Sequence, residues 1–99
     1  MKLSQCLLAV AAATAVSTAL AQAPAKAAIC QSCHGQGGAK PLMSAYPKLA
    51  GQNVDYLKSA LHAYKDGKRG GGMAAVMSPQ AAGLSDAEID ELADYFSKQ

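Results

Sequence analysis

The chain has 99 residues, a formal net charge of +2 and 51% hydrophobic side chains. That length allows one domain, and the small net charge excludes the broad basic footprint of a nucleic-acid binder. With one Phe and no Trp, the chain lacks the aromatic bulk that would help so small a domain bury a core.

The first residues read as an export signal. Lys2 precedes an apolar stretch, Leu7 to Val16, and Ala19-Leu20-Ala21 supplies a small-x-small cleavage pattern. Cleavage is expected after Ala21 or Ala23, so residues 1–21 are assigned to the signal and residues 24–99 to a single domain. Thr14, Ser17 and Thr18 interrupt the apolar run, which falls short of the ~20 residues a membrane span requires. An uncleaved anchor is the alternative. The expectation is a periplasmic location with no stable membrane insertion of the mature chain, and Cys6 is lost on processing.

A short helix is predicted from about Pro24 to Cys33, Ala-rich and with Pro24 in its first turn. It carries Cys30-Gln31-Ser32-Cys33-His34. Two thiols three positions apart can each add across a vinyl group of one haem, and the adjacent imidazole can bind the iron. C-x-x-C-H therefore reads as a c-type haem attachment site. A thioredoxin-like pair would need a βαβ setting, and the chain shows no alternating β-branched strand. A zinc site needs four ligands, for which only His62 and carboxylates remain. A Cys30–Cys33 disulfide would leave His34 without a role. A covalent haem would also supply the apolar mass the composition lacks.

Gly35, Gly37 and Gly38 end the first helix and open a loop to Gly51, kept extended by Pro41 and Pro47. Asn53 caps a second helix that Gly67 stops, and Val54, Leu57, Leu61 and Tyr64 form its apolar stripe. After Gly70-Gly71-Gly72 comes Met73 to Met77, and Pro79 is expected to open a single helical turn. Ser85 and Glu88 make a capping box for the last helix, with Leu84 and Ile89 placed as a hydrophobic staple. Ile89, Leu92, Ala93 and Phe96 are its buried stripe. The fold class is all-α, with about three main helices and long loops around one flat cofactor.

From about Ala27 to Phe96 the chain resembles the small bacterial class I cytochromes c, of the c-553 and c-4 type. The marks are Cys30-Gln31-Ser32-Cys33-His34-Gly35, Tyr46-Pro47-Lys48-Leu49-Ala50-Gly51-Gln52, Tyr56-Leu57, Met77 ahead of Leu84-Ser85-Asp86, and Leu92-Ala93-Asp94-Tyr95-Phe96. The resemblance implies one haem c on thioethers from Cys30 and Cys33, with His34 proximal and a Met distal. The family's position, counted back from Leu84-Ser85, is Met77, with Met73 the alternative. It also implies a prolyl carbonyl that receives the imidazole N–H; Pro41 is nearest here, two positions out of register. The first helix is short, so its crossing with the last helix is expected to be abbreviated.

His62 falls away from the second helix's stripe and is expected at the surface. Tyr46, Tyr56 and Tyr64 are expected to pack half-buried, and Arg69 is a haem propionate partner or a solvated loop residue. Basic residues prevail from Pro24 to Gly70 and acidic ones from Gly71 onward. That asymmetry fits either solvated faces or steering toward a partner. The functional expectation is a monomeric, soluble electron carrier and not an enzyme, meeting redox proteins through transient contacts. A haem subunit docked on a catalytic enzyme is one alternative, and a peroxidase-like or gas-binding protein with a labile sixth ligand is another.

Overall fold

A computed structural model describes residues 22–99; the expected export signal lies outside the described residues. Four helices follow one another: α1 (Ala27–His34), α2 (Val54–Lys65), α3 (Ala74–Ala82) and α4 (Asp86–Ser97), with a 3₁₀ turn at Gln36–Gly38. No strand occurs among the described residues. The all-α class I expectation holds, with a fourth helix where a turn was expected.

Local chemistry sets each boundary. The Asn53 side chain accepts hydrogen bonds from the backbone N–H groups of Asp55 and Tyr56, meeting donors that the first turn of α2 leaves open. Ser85 and Glu88 form the full capping box of α4, with the Ser85 N–H donating to Glu88 at 3.0 Å and the Glu88 N–H to Ser85 Oγ at 3.1 Å. Leu84 and Ile89 on either side of it are both buried.

The unexpected element is α3. Pro79 lies inside it, although proline cannot donate to the carbonyl one turn back. Ser78 Oγ donates to the Ala74 carbonyl at 3.0 Å within the same turn, and α3 packs along α2. Tertiary packing here outweighs a proline that costs an isolated helix about 3 kcal/mol.

Ala27, Leu57, Leu84, Ile89, Leu92, Ala93 and Phe96 form one buried cluster. Only Ile89 and Leu92 among the described residues are both large and fully buried, so protein atoms alone make a thin core. From α1, Ala27 joins the cluster and Cys30 packs against it, in keeping with a short first helix. Lys26 braces that helix: its ammonium donates to the Gly83 carbonyl at 3.0 Å and pairs with Glu88 at 2.8 Å. Lys65, which donates to the Leu84 carbonyl, ties the end of α2 to the same corner.

Candidate functional site

The thin core adjoins a cavity of about 610 Å³, within the size range of small-molecule and cofactor sites. From α1 it is lined by Cys30, Cys33 and His34, and from α3 and its N-cap by Met77 and Met73. Leu57, Leu61, Leu92 and Phe96 supply apolar wall from α2 and α4. Residues far apart in sequence thus meet around one space. Met43 is half exposed and does not line it, which leaves Met73 and Met77 as the methionines of the lining. They are four positions apart, one helical turn.

His34 is the buried ionisable side chain of the described residues, only 4% exposed. Its Nδ1 lies 2.7 Å from the Pro47 carbonyl oxygen. A carbonyl can only accept, so Nδ1 carries the hydrogen and Nε2 is the basic nitrogen. Nε2 has no hydrogen-bond partner among the described residues, which leaves its lone pair for a ligand. This corrects the expectation drawn for Pro41: the orienting carbonyl belongs to Pro47. Gly35 explains the difference. Its φ of +83° turns the chain sharply after α1, where a Cβ would collide with the Lys40 carbonyl. The Leu42 N–H then donates to the Cys33 carbonyl at 3.0 Å, so Pro41 is spent in the turn and the loop reaches His34 only at Pro47.

Gln31, inside the motif, also acts on this loop, because its side-chain carbonyl accepts from the Gly37 N–H at 2.7 Å. The C-x-x-C-H pattern assigns that position no role of its own. Both thiols are free, and burial pushes that of Cys30 above its ordinary value, partly offset by a backbone hydrogen bond. It therefore stays a neutral thiol at neutral pH. Among the described residues no three His, Cys, Asp or Glu side chains cluster as a set for a metal ion.

His62 does not line the cavity; it stands 3.8 Å from Asp86, 40% exposed, as the helical wheel indicated. Tyr46 and Tyr64 are half-buried, while Tyr56 is more exposed than expected, and all three line the cavity. Arg69 does so as well, its guanidinium 4.7 Å from the Tyr64 ring centre. No helix among the described residues is long and apolar enough to cross a membrane.

The donor set fits a covalently held haem: two free thiols, an imidazole oriented through Nδ1, thioether sulfurs on α3 and at its N-cap, and apolar wall between them. Comparison with known proteins agrees. Residues 19–96 match the family described as cytochrome C oxidase, cbb3-type, subunit III. Cytochrome c-554(548) of Halomonas halodenitrificans is 49% identical over 74 residues, covering 75% of this chain and 88% of that protein. Cytochrome c-553 of Nitratidesulfovibrio vulgaris is 37% identical and matches over 99% of both chains. The thiosulfate dehydrogenase electron acceptor of Thiomonas intermedia is 45% identical over 78 residues, which are 79% of this chain but only 35% of that protein. The chain therefore belongs to the cytochrome c family, as a small monohaem c-type cytochrome of electron transfer with one covalently bound haem c.

Proposed function

We propose that this protein is a periplasmic carrier of single electrons between redox enzymes. The observation that carries the reading is the meeting of Cys30, Cys33 and His34 with Met77 around one apolar cavity. Bound haem c supplies the one-electron ferrous/ferric couple. Cys30 and Cys33 are its thioether anchors. His34 would hold the iron through Nε2, oriented by Pro47, and Met77 would hold it through its thioether sulfur. A thioether there favours the ferrous state and raises the potential. An iron held by both His34 and Met77 would leave no position for a substrate, and the chemistry it would supply is electron transfer without making or breaking a substrate bond.

Charge supports transient docking. Lys26, Lys58, Lys65 and Lys98 are each paired with a carboxylate. Lys40, Lys48 and Lys68 have no such partner among the described residues and sit in the loops before and after α2. They leave local positive charge to steer encounter with an acidic surface on a partner. The relative whose name identifies it as an electron acceptor for thiosulfate dehydrogenase supports a dehydrogenase as one class of donor.

Optical spectra of the oxidised and reduced protein, with and without carbon monoxide, test the reading. A six-coordinate spectrum unchanged by the gas is expected. Ready carbon monoxide uptake at neutral pH would instead establish a labile sixth ligand and a gas-binding or peroxidase-like protein.

A further inference from the structure

Two side chains of α1 reach the loop that follows it. His34 is one, its Nδ1 donating to the Pro47 carbonyl at 2.7 Å. Gln31, three positions earlier and so a neighbour on the helix surface, is the other. Gln31 does not line the cavity. Its side-chain carbonyl accepts from the Gly37 N–H at 2.7 Å, and its backbone carbonyl accepts from the Gly35 N–H at 3.0 Å. One residue thus holds the start of the loop at two points. Gly37 and Gly38 are both buried and, as glycines, have no side chain with which to fasten the turn. Among the described residues the Gln31 amide is the one side chain of α1 that hydrogen-bonds to it.

That contact continues to the imidazole. Gly38, next in the chain, offers its carbonyl to the N–H groups of Leu49 and Ala50 at 2.9 and 3.2 Å. Leu49 stands two residues after Pro47, whose carbonyl orients His34. With the Gln31 acceptor removed, a buried N–H at Gly37 loses its partner, and the turn must shift to find another. Any shift at Gly38 is passed through Leu49 to the Pro47 carbonyl.

We infer that Gln31 is a positioning residue for His34: by fixing Gly37 it holds the Pro47 carbonyl on Nδ1 and thereby sets the reduction potential. The inference rests on the haem reading above. A hydrogen bond at Nδ1 raises the basicity of the nitrogen facing the metal, and a more basic ligand favours the ferric state. Loosening the carbonyl therefore raises the potential.

The test takes two readouts on the loaded protein. One is the midpoint potential. The other is hydrogen exchange of the His34 Nδ1 proton in the reduced state, followed by nuclear magnetic resonance. Exchange is read relative to the Leu92 backbone N–H in the core, which reports opening of the whole fold. Gln31→Met keeps the length and removes the acceptor. It is expected to raise the midpoint and to speed relative Nδ1 exchange by roughly five- to tenfold, the factor that one neutral hydrogen bond is worth. Gln31→Glu keeps an acceptor at the same reach and should restore slow exchange. Ser32→Ala is the control within the motif, since the Ser32 hydroxyl turns back to the Ile29 carbonyl inside α1 at 2.6 Å; it should match wild type in both readouts. A Gln31→Met protein that unfolds more easily but keeps the wild-type midpoint and relative exchange would overturn the inference. So would Gln31→Glu exchanging as fast as Gln31→Met, or Ser32→Ala shifting both readouts as far. Should Gln31→Met not accumulate, Gln31→Asn, one methylene short of Gly37, takes its place, and wild-type values there would overturn the inference. A wild-type chain without covalent haem would instead overturn the haem reading itself, which its absorbance reveals before any variant is compared.

Discussion

Gly38 lies directly against Phe96: a Cβ built on the glycine would stand 3.1 Å from Phe96 Cδ1 and 2.7 Å from Leu49 Cβ. The same glycine has a φ of +71° and its carbonyl accepts from the N–H groups of Leu49 and Ala50. Position 38 is thus where the loop that brings Pro47 to His34 is pressed onto α4.

Gly38→Ala should therefore destabilise the loaded protein by roughly 2–4 kcal/mol, combining left-handed strain with overpacking. Gly67 has a φ of +69° but open space around its Cβ position, so Gly67→Ala should cost only about 1–2 kcal/mol from strain alone. Denaturant unfolding of both variants checks this. Equal losses would show that Leu49 and Phe96 simply move aside.

Met77→Ala should abolish the sulfur-to-iron charge-transfer band of the oxidised protein and lower its potential, whereas Met73→Ala should keep the band. Near-infrared and visible spectra of the two variants decide the matter. A band that survives Met77→Ala and vanishes in Met73→Ala would transfer the ligand role to the methionine one turn earlier.

Removing one thiol leaves a single covalent link, and removing both leaves none. Cys30→Ala and Cys33→Ala should each weaken haem retention after denaturation, and the double variant should release all of it to acidified organic solvent. Haem staining of the extracted polypeptide is the measurement. Haem remaining on the double variant would place the attachment elsewhere.

The Lys26–Glu88 pair makes an acid-side prediction. Hydrogen bonding from Lys26, then from the Ser85 backbone, holds the Glu88 carboxyl below its ordinary value of 4.5. A depressed folded-state value stabilises the fold above about pH 4.5, and the contribution disappears as pH falls through the lower folded value. The stability gap between wild type and Lys26→Met should therefore be full at pH 6 and narrow below pH 4.5. A gap that stays constant down to pH 3 would assign Lys26's contribution to the Gly83 carbonyl instead.

Much of this was legible in the sequence because the signals are local. The Asn53 cap, the Ser85–Glu88 box and the Ile89, Leu92, Ala93, Phe96 stripe each rest on contacts within a helical turn or two. The C-x-x-C-H spacing works the same way, since its chemistry is contained in five consecutive residues. What escaped were features set by distant neighbours. Pro79 argued against a continuous α3, because its missing N–H is visible in sequence while the packing that compensates it, along α2, is not. The partner of His34 was sought at the nearest proline, yet the turn at Gly35 carries the chain past Pro41 before Pro47 comes within reach. Pro47 stood in a block already marked as characteristic, so a signal was there, but distance along the chain was the wrong measure of distance in space.

The thin core has a consequence for how the cell makes this protein. With Ile89 and Leu92 the only large, wholly enclosed side chains among the described residues, a newly made chain that has not yet received its pigment has little to hold it shut. Attachment of the group is thus the step that completes the interior, and the colourless chain should be the more easily unfolded form.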